Sequence, residues 1–176
     1  MQEAKLSHLT FEDLVKFMDK NKDLFIITDT KYPFLPHIKI EFDEMEEILS
    51  RYHNVKERFI IEIYHEKMFL YLKENYNYKY FMFTLYKRWN SKNYEDLENI
   101  FDFCAKNKID GIIMYKHLFN SRINDLSKKY SIPVYLHTEN NLIKIANFLK
   151  DVKGIFTDEI SKSILNEYIS NQSKLL

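Results

Sequence analysis

The chain has 176 residues, 26 of them basic and 26 acidic, with 45% hydrophobic and 16% aromatic content. That is long enough for one ordinary domain with a real core and too apolar for a disordered chain. A formal net charge of zero removes the simplest argument for nucleic-acid binding, the single cysteine Cys104 excludes a disulfide scaffold, and no apolar run reaches the length of a membrane span.

The N-terminal stretch "MQEAKLSHLTFEDL" has no basic start leading into an apolar core, so it is not a secretory signal. As written, the chain is expected to stay in the cytoplasm; it is expected to be exported if an N-terminal segment is missing. In "LTFEDLVKFMDKN", Thr10 is an N-cap with Asp13 three residues on, and Leu14, Phe17 and Met18 recur at helical spacing. "LFIIT" follows as a buried strand. "FDEMEEILSRYHN" reads as a helix and "RFIIEIY" as a strand, then "EKMFLYLKENY" as a helix and "KYFMFTLY" as a strand. "NYEDLENIFDFCAKNK" is the clearest helix, with Tyr94, Leu97, Ile100, Phe101 and Cys104 on one stripe. "DGIIMY" is a strand, "FNSRINDLSKKY" a helix, "IPVYLHT" a strand and "NNLIKIANFLKD" a helix. The short run "GIFTD" and a helical tail, "ISKSILNEYISNQSKLL", close the chain.

Six strand signals separated by helix-length segments predict an α/β fold with a parallel sheet covered by helices. With two glycines and three prolines in the whole chain, no linker or domain boundary stands out, and residues 1–176 read as a single domain. Neither a Gly-rich phosphate loop nor a G-x-G-x-x-G turn is present. The choice lies between an open doubly wound sheet and a barrel or barrel fragment. In both, ligands bind at the C-terminal strand ends.

Polar residues gather at those ends: Asp29 and Lys31, Glu62 and Tyr64, Thr84, Tyr86 and Arg88, Tyr115, His137, Thr138 and Asn140, and Thr157 and Asp158. Consecutive strand ends that carry charged or hydrogen-bonding groups suit an anionic, metal-dependent site; ordinary polar βα loops are the alternative. Asp29 and Lys31, two positions apart where an apolar strand runs out, point to the same side. An acid and a base sharing one side where a strand runs out is the pattern of a site; a solvated strand end is the alternative.

The segments "VYLHTEN" (134–140) and "GIFTDEI" (154–160), preceded by "IITDTK", "RFIIEIYHEKMF" and "YFMFTLYKRW" in that order, resemble glycerophosphodiester phosphodiesterase-like proteins over roughly residues 9–160. The resemblance implies a TIM-barrel-like (βα) fold, here an incomplete barrel of about six parallel strands lacking the first two. It implies cleavage of a phosphodiester with a divalent cation, Ca²⁺ or Mg²⁺, and two histidines as general acid and base. It matches Asp29 to a metal-binding acid, Lys31 to the lysine facing phosphate and His137 to a pocket residue of the closing strand; Glu62, Tyr86 and Arg88, each at the C-terminal end of a different strand, are expected to join them as substrate-binding residues, Arg88 at the phosphate. The family's His-Arg-Gly motif, its Glu-x-Asp strand and its His-Asp pair have no counterpart in this sequence. Of the six histidines, His8, His37, His53, His65 and His117 read as surface residues, with His37 in a loop beside Pro36 and His65 opening a helix. The resemblance therefore implies a chain that is inactive alone. Either it is the larger part of a split or truncated barrel, or it is a non-catalytic member that binds a phosphorylated or polyol ligand. Its partners would be a phosphodiester or phosphorylated small molecule, and a separate N-terminal barrel segment or a second copy at the open sheet edges.

Overall fold

The computed structural model describes residues 9–30, 34–52, 54–86 and 94–173. They form two compact units: one runs to Ile63 and includes Lys67–Tyr80, and the other comprises Tyr64–Glu66 and everything from Phe81 onward.

In the first unit, helix α1 (Phe11–Lys20) opens on the capping box that the sequence announces. The Thr10 hydroxyl accepts the Asp13 N–H at 3.1 Å, and the Asp13 carboxylate accepts the Thr10 N–H at 3.2 Å. Val15 and Met18 form its buried face. Phe17, expected on the apolar stripe, is instead 55% exposed. Strand β1 is short (Ile26–Ile27) and runs parallel to β2 (Phe59–Ile63), with Ile26 opposite Phe59 and Ile27 opposite Ile60. Helix α2 (Leu35–Leu49) starts about two turns earlier than its hydrophobic pattern suggests, with a proline in its first turn. Proline lacks an N–H that this turn would leave unbonded in any case, and its fixed φ suits a helix start. His37 therefore stands in the first turn of α2 and not in a loop, a correction to the sequence reading. Helix α3 (Glu66–Asn75) follows β2, and Tyr80 then opens β3 (Tyr80–Thr84). Arg58, only 8% exposed, anchors the start of β2: its Nη1 donates to the carbonyls of Asn21 (2.8 Å) and Leu24 (3.2 Å), tying it to the loop before β1.

The second unit contains the rest of β3, then α4 (Tyr94–Lys106), β4 (Gly111–Tyr115), α5 (Ser121–Tyr130), β5 (Val134–His137), α6 (Leu142–Phe148), β6 (Gly154–Ile155) and α7 (Lys162–Ser173). The stripe read for α4 is buried at Leu97, Ile100, Phe101 and Cys104, while the side chain of Tyr94 lies outside the described residues. Two 3₁₀ turns, Lys56–Arg58 and Lys116–Leu118, carry no signal that hydrophobic periodicity detects.

The six strands stand in one sheet in chain order, β1-β2-β3-β4-β5-β6, and each pair whose register is defined is parallel. A doubly wound sheet reverses its strand order at a switch point. An unbroken chain order is that of a TIM-type (βα) barrel, and six strands leave it incomplete against the eight of a full one. The strand of Ile27 stands at one end of the order. Phe156 lies one residue beyond β6, its N–H still donating to the Leu136 carbonyl of β5 at 2.8 Å.

Both glycines of the chain serve one ring. Gly111 opens β4 and Gly154 opens β6, on either side of Tyr135 in β5. A Cβ on Gly111 would stand 2.7 Å from Tyr135 Cε2 and 3.1 Å from the Pro133 carbonyl oxygen, and one on Gly154 would stand 2.9 Å from Tyr135 Cδ1. No such approach is sterically possible, so the ring holds its place because both neighbours lack a side chain. We expect Gly111→Ala to destabilise the chain by about 1–3 kcal/mol in urea unfolding, the usual cost of overpacking. Tyr135→Leu in the same chain should recover part of that loss, so that the double-mutant cycle shows favourable coupling. Strictly additive effects would mean that the ring and the glycine do not constrain each other.

Candidate functional site

Where β4 and β5 end, their register sets Tyr115 directly opposite His137. Opposed residues of a parallel pair project from the same face, so the two rings meet, with centroids 4.3 Å apart. Tyr86, in the turn after β3, closes on both: its ring lies 4.1 Å from His137 and 4.8 Å from Tyr115, stacked on the latter at 27°. His117, in the 3₁₀ turn, stacks on Tyr115 at 5.3 Å. The result is a four-ring cluster at the C-terminal ends of three strands. Tyr115 remains 39% exposed within it. The sequence reading named Tyr86 and His137 as site residues. It noted Tyr115 only as a polar strand end and set His117 aside as a surface residue. The missed signal is positional: an aromatic at a strand's last residue meets whatever ends the next strand.

Behind the rings, the chain after β5 is held by the buried Glu139. Its carboxylate accepts Lys116 Nζ at 2.9 Å and the N–H groups of Asn140 (3.1 Å) and Asn141 (3.0 Å). Together with these backbone bonds, the Lys116 ammonium holds the carboxyl below the usual glutamate range. Asn140 and Thr157, both read as polar strand ends, are occupied with each other: Asn140 Oδ1 accepts the Thr157 hydroxyl at 2.7 Å and the Asp158 N–H at 3.0 Å. These groups brace the end of β6 against the loop after β5. At the end of β3, the Thr84 hydroxyl is buried and has no hydrogen-bond partner among the described residues.

In the first unit, Asp29 lies just past β1 and is exposed, whereas Glu62 on β2 is 4% exposed. The neighbouring Thr28 continues the ladder, donating its N–H to the Ile60 carbonyl (3.0 Å) and accepting the Glu62 N–H on its hydroxyl (3.1 Å). Lys31 and Arg88, the two cations assigned to phosphate, lie outside the described residues, as does His53. Among the described residues, no three His, Cys, Asp or Glu side chains come together as a metal-ligand group. Ca²⁺ takes about six to eight oxygens, so an exposed Asp29 is at most one member of a donor set and does not by itself fit the cation. Cys104 is fully buried, and burial pushes its thiol up to about 12, which leaves it inert as a nucleophile. Among the described residues, no helix is long and apolar enough to cross a membrane.

No protein-family model matches the sequence, and no curated protein matches it. The fold has close counterparts among solved structures. One is a protein assigned as a glycerophosphoryl diester phosphodiesterase from Silicibacter pomeroyi DSS-3, with a TM-score of 0.66 and 13% identity over 90% of this chain. Another is a glycerophosphodiester phosphodiesterase from Parabacteroides distasonis ATCC 8503, with a TM-score of 0.62 and 12% identity over 92% of this chain. At such identities the likeness establishes the fold: a (βα) architecture of the kind these proteins have. The chain spans 56% and 64% of the length of those two chains, less than two thirds of either.

The Glu139 anchor has a pH signature. A carboxyl whose pKa is lowered in the folded chain contributes stability above its unfolded value, about 4.3 for glutamate, and loses that contribution as pH falls through the lowered folded value. Glu139→Gln should therefore be less stable than the parent chain at pH 7. The gap in urea midpoint should narrow progressively as the pH falls below the unfolded glutamate value. A gap that stays constant over that range would show that the Glu139 charge contributes nothing.

Proposed function

We propose that this chain is the six-stranded, C-terminal part of a glycerophosphodiester phosphodiesterase-like barrel, which binds a phosphodiester or phosphorylated small molecule at its C-terminal strand ends and does not hydrolyse it alone. The carrying observation is the chain-order sheet, which matches two such proteins over about nine tenths of this chain. The motif order "IITDTK", "VYLHTEN" and "GIFTDEI" supports the same reading from the sequence side.

On this reading Lys31, in the first unit, is suited to a phosphate oxygen as a point charge, and Arg88, in the second, through its planar fork. Within the second unit, the Tyr86 and His137 rings face the rest of the ligand; Glu62, of the first unit, is suited to accept a hydroxyl group. A divalent cation, Ca²⁺ or Mg²⁺, is held only weakly, because Asp29 is the one carboxylate that the resemblance matches to it. Cleavage needs a proton donor for the leaving group and a base for the attacking water, each within hydrogen-bond reach. The sequence positions that supply both in the family have no counterpart here. A separate N-terminal barrel segment, or a second copy, would pair with the β1 edge of the sheet.

The test is an assay of the purified chain with Ca²⁺ or Mg²⁺ against glycerophosphocholine and a chromogenic phosphodiester. We expect turnover at least about 10² to 10⁴ below an enzymatic rate, the usual contribution of acid–base groups, and recovery when a segment carrying the two missing histidine motifs is added. Robust turnover by the chain alone, abolished by Asp29→Ala, would overturn the proposal and place the acid and base among the histidines present.

A further inference from the structure

The first unit carries a cleft of about 290 Å³ at the N-terminal ends of β1, β2 and β3. Phe25 immediately precedes β1, Arg58 immediately precedes β2, and Tyr80 opens β3. The cleft belongs to strand ends that the proposed phosphodiester site does not use, and the inference below stands independently of that site.

Three features of its lining point to one kind of ligand. The first is charge: Lys22, Arg58 and Lys79 line the cleft against a single carboxylate, Glu57. Lys22 is paired with Asp19 at 2.6 Å, but both members are exposed, so the pair holds Lys22 only weakly. Lys79 Nζ stands 5.1 Å from the centroid of the Tyr80 ring and is exposed. The second is the buried guanidinium of Arg58. Its Nη1 and Nε reach only neutral backbone oxygens, those of Asn21 and Leu24 from Nη1 and of Asn54 from Nε at 3.4 Å, and its Nη2 is buried with no hydrogen-bond partner. Its hydrogen bonds go to carbonyls, and the one carboxylate whose charge it steadies, Asp19, is exposed and already paired with Lys22, so the cleft floor keeps a positive field that an anion would neutralise. The third is an apolar wall. Phe25 is 50% exposed and meets Tyr80 edge-on, with centroids 6.2 Å apart. An exposed ring beside a basic floor favours a flat, apolar group carried on the anion. The volume stands at the lower limit for small-molecule pockets, which suits one ring and one phosphate and excludes a dinucleotide.

We propose that this cleft is a binding site for a small aromatic phosphomonoester, with the phosphate between Lys22, Lys79 and Arg58 and the ring against Phe25 and Tyr80. Calorimetric titration of the full chain with phenyl phosphate tests it, with inorganic phosphate and phenol as separate arms. Phenyl phosphate should bind with a Kd below about 1 mM and at least about tenfold more tightly than either fragment. Lys79→Ala, at an exposed position that leaves folding intact, should weaken phenyl phosphate about tenfold, as expected for a lost charge-assisted hydrogen bond. Phe25→Ala should bring phenyl phosphate down to the affinity of inorganic phosphate. Amide shifts in the labelled chain should cluster at Lys22, Phe25, Asn54 and Tyr80. The proposal fails if no binding is seen at about 10 mM, if both variants bind as the parent does, or if the shifts fall only at the C-terminal strand ends.

Discussion

The ring of Tyr135, lodged between two strands that each give up a side chain to admit it, is the constraint on which the second unit depends. Gly154 is the register partner of Tyr135 and Gly111 lies two residues before its other partner, Ile113, yet both sit against the ring, and they are the only two glycines in the chain. With Tyr135 fixed, β4 and β5 stay in the register that carries Ile113 opposite Tyr135 and, one pleat further, Tyr115 opposite His137. A slip of one residue would turn every side chain of β5 to the other face, burying His137 and exposing Leu136. The aromatic cluster at the C-terminal ends is thus a consequence of close packing at the N-terminal ends of the same strands.

The same strands show how the chain divides its polar groups between structure and ligand. Along β5 burial alternates, with Val134 and Leu136 covered and Tyr135 and His137 half-open, so one face is core and the other remains partly accessible. At the strand ends, Glu139, Asn140, Thr157 and Asp158 use their polar groups to fix loops. Tyr115 and His117 instead present rings at the exposed end of the cluster. A strand end rich in polar residues is therefore not uniformly a site; part of it is the bracing that lets neighbouring side chains be a site.

The helix–strand alternation was legible because each element carries its own period: the Thr10–Asp13 cap, the α4 stripe ending at Cys104, and the apolar runs of β2 to β5 all stand where the sequence places them. The misses have local causes. The hydrophobic pattern of α2 begins at Phe42, but the helix begins at Leu35 because proline is welcome in a first turn. Phe17 has the right spacing for a core position yet is exposed, since periodicity defines a face and cannot say where along its width the packing stops. The site was legible only in part. Tyr86 and His137 could be named from their strands, and they do meet. Their contact with Tyr115, on which His117 stacks in turn, depends on strand register, which no single segment encodes. Glu139 lies within the quoted "HTEN" run but was passed over, because its partner Lys116 is 23 positions away in sequence.

The central claim is that the C-terminal strand ends of this sheet form a phosphate-ligand site. The most direct test is chemical-shift mapping of the isotopically labelled chain titrated with sn-glycerol 3-phosphate. The account predicts that the amides of Thr84, Tyr86, Tyr115 and His137 shift together and saturate along a single binding curve. It is contradicted if those four amides stay in place at saturating ligand while only residues at the N-terminal strand ends respond, or if no amide shifts at all.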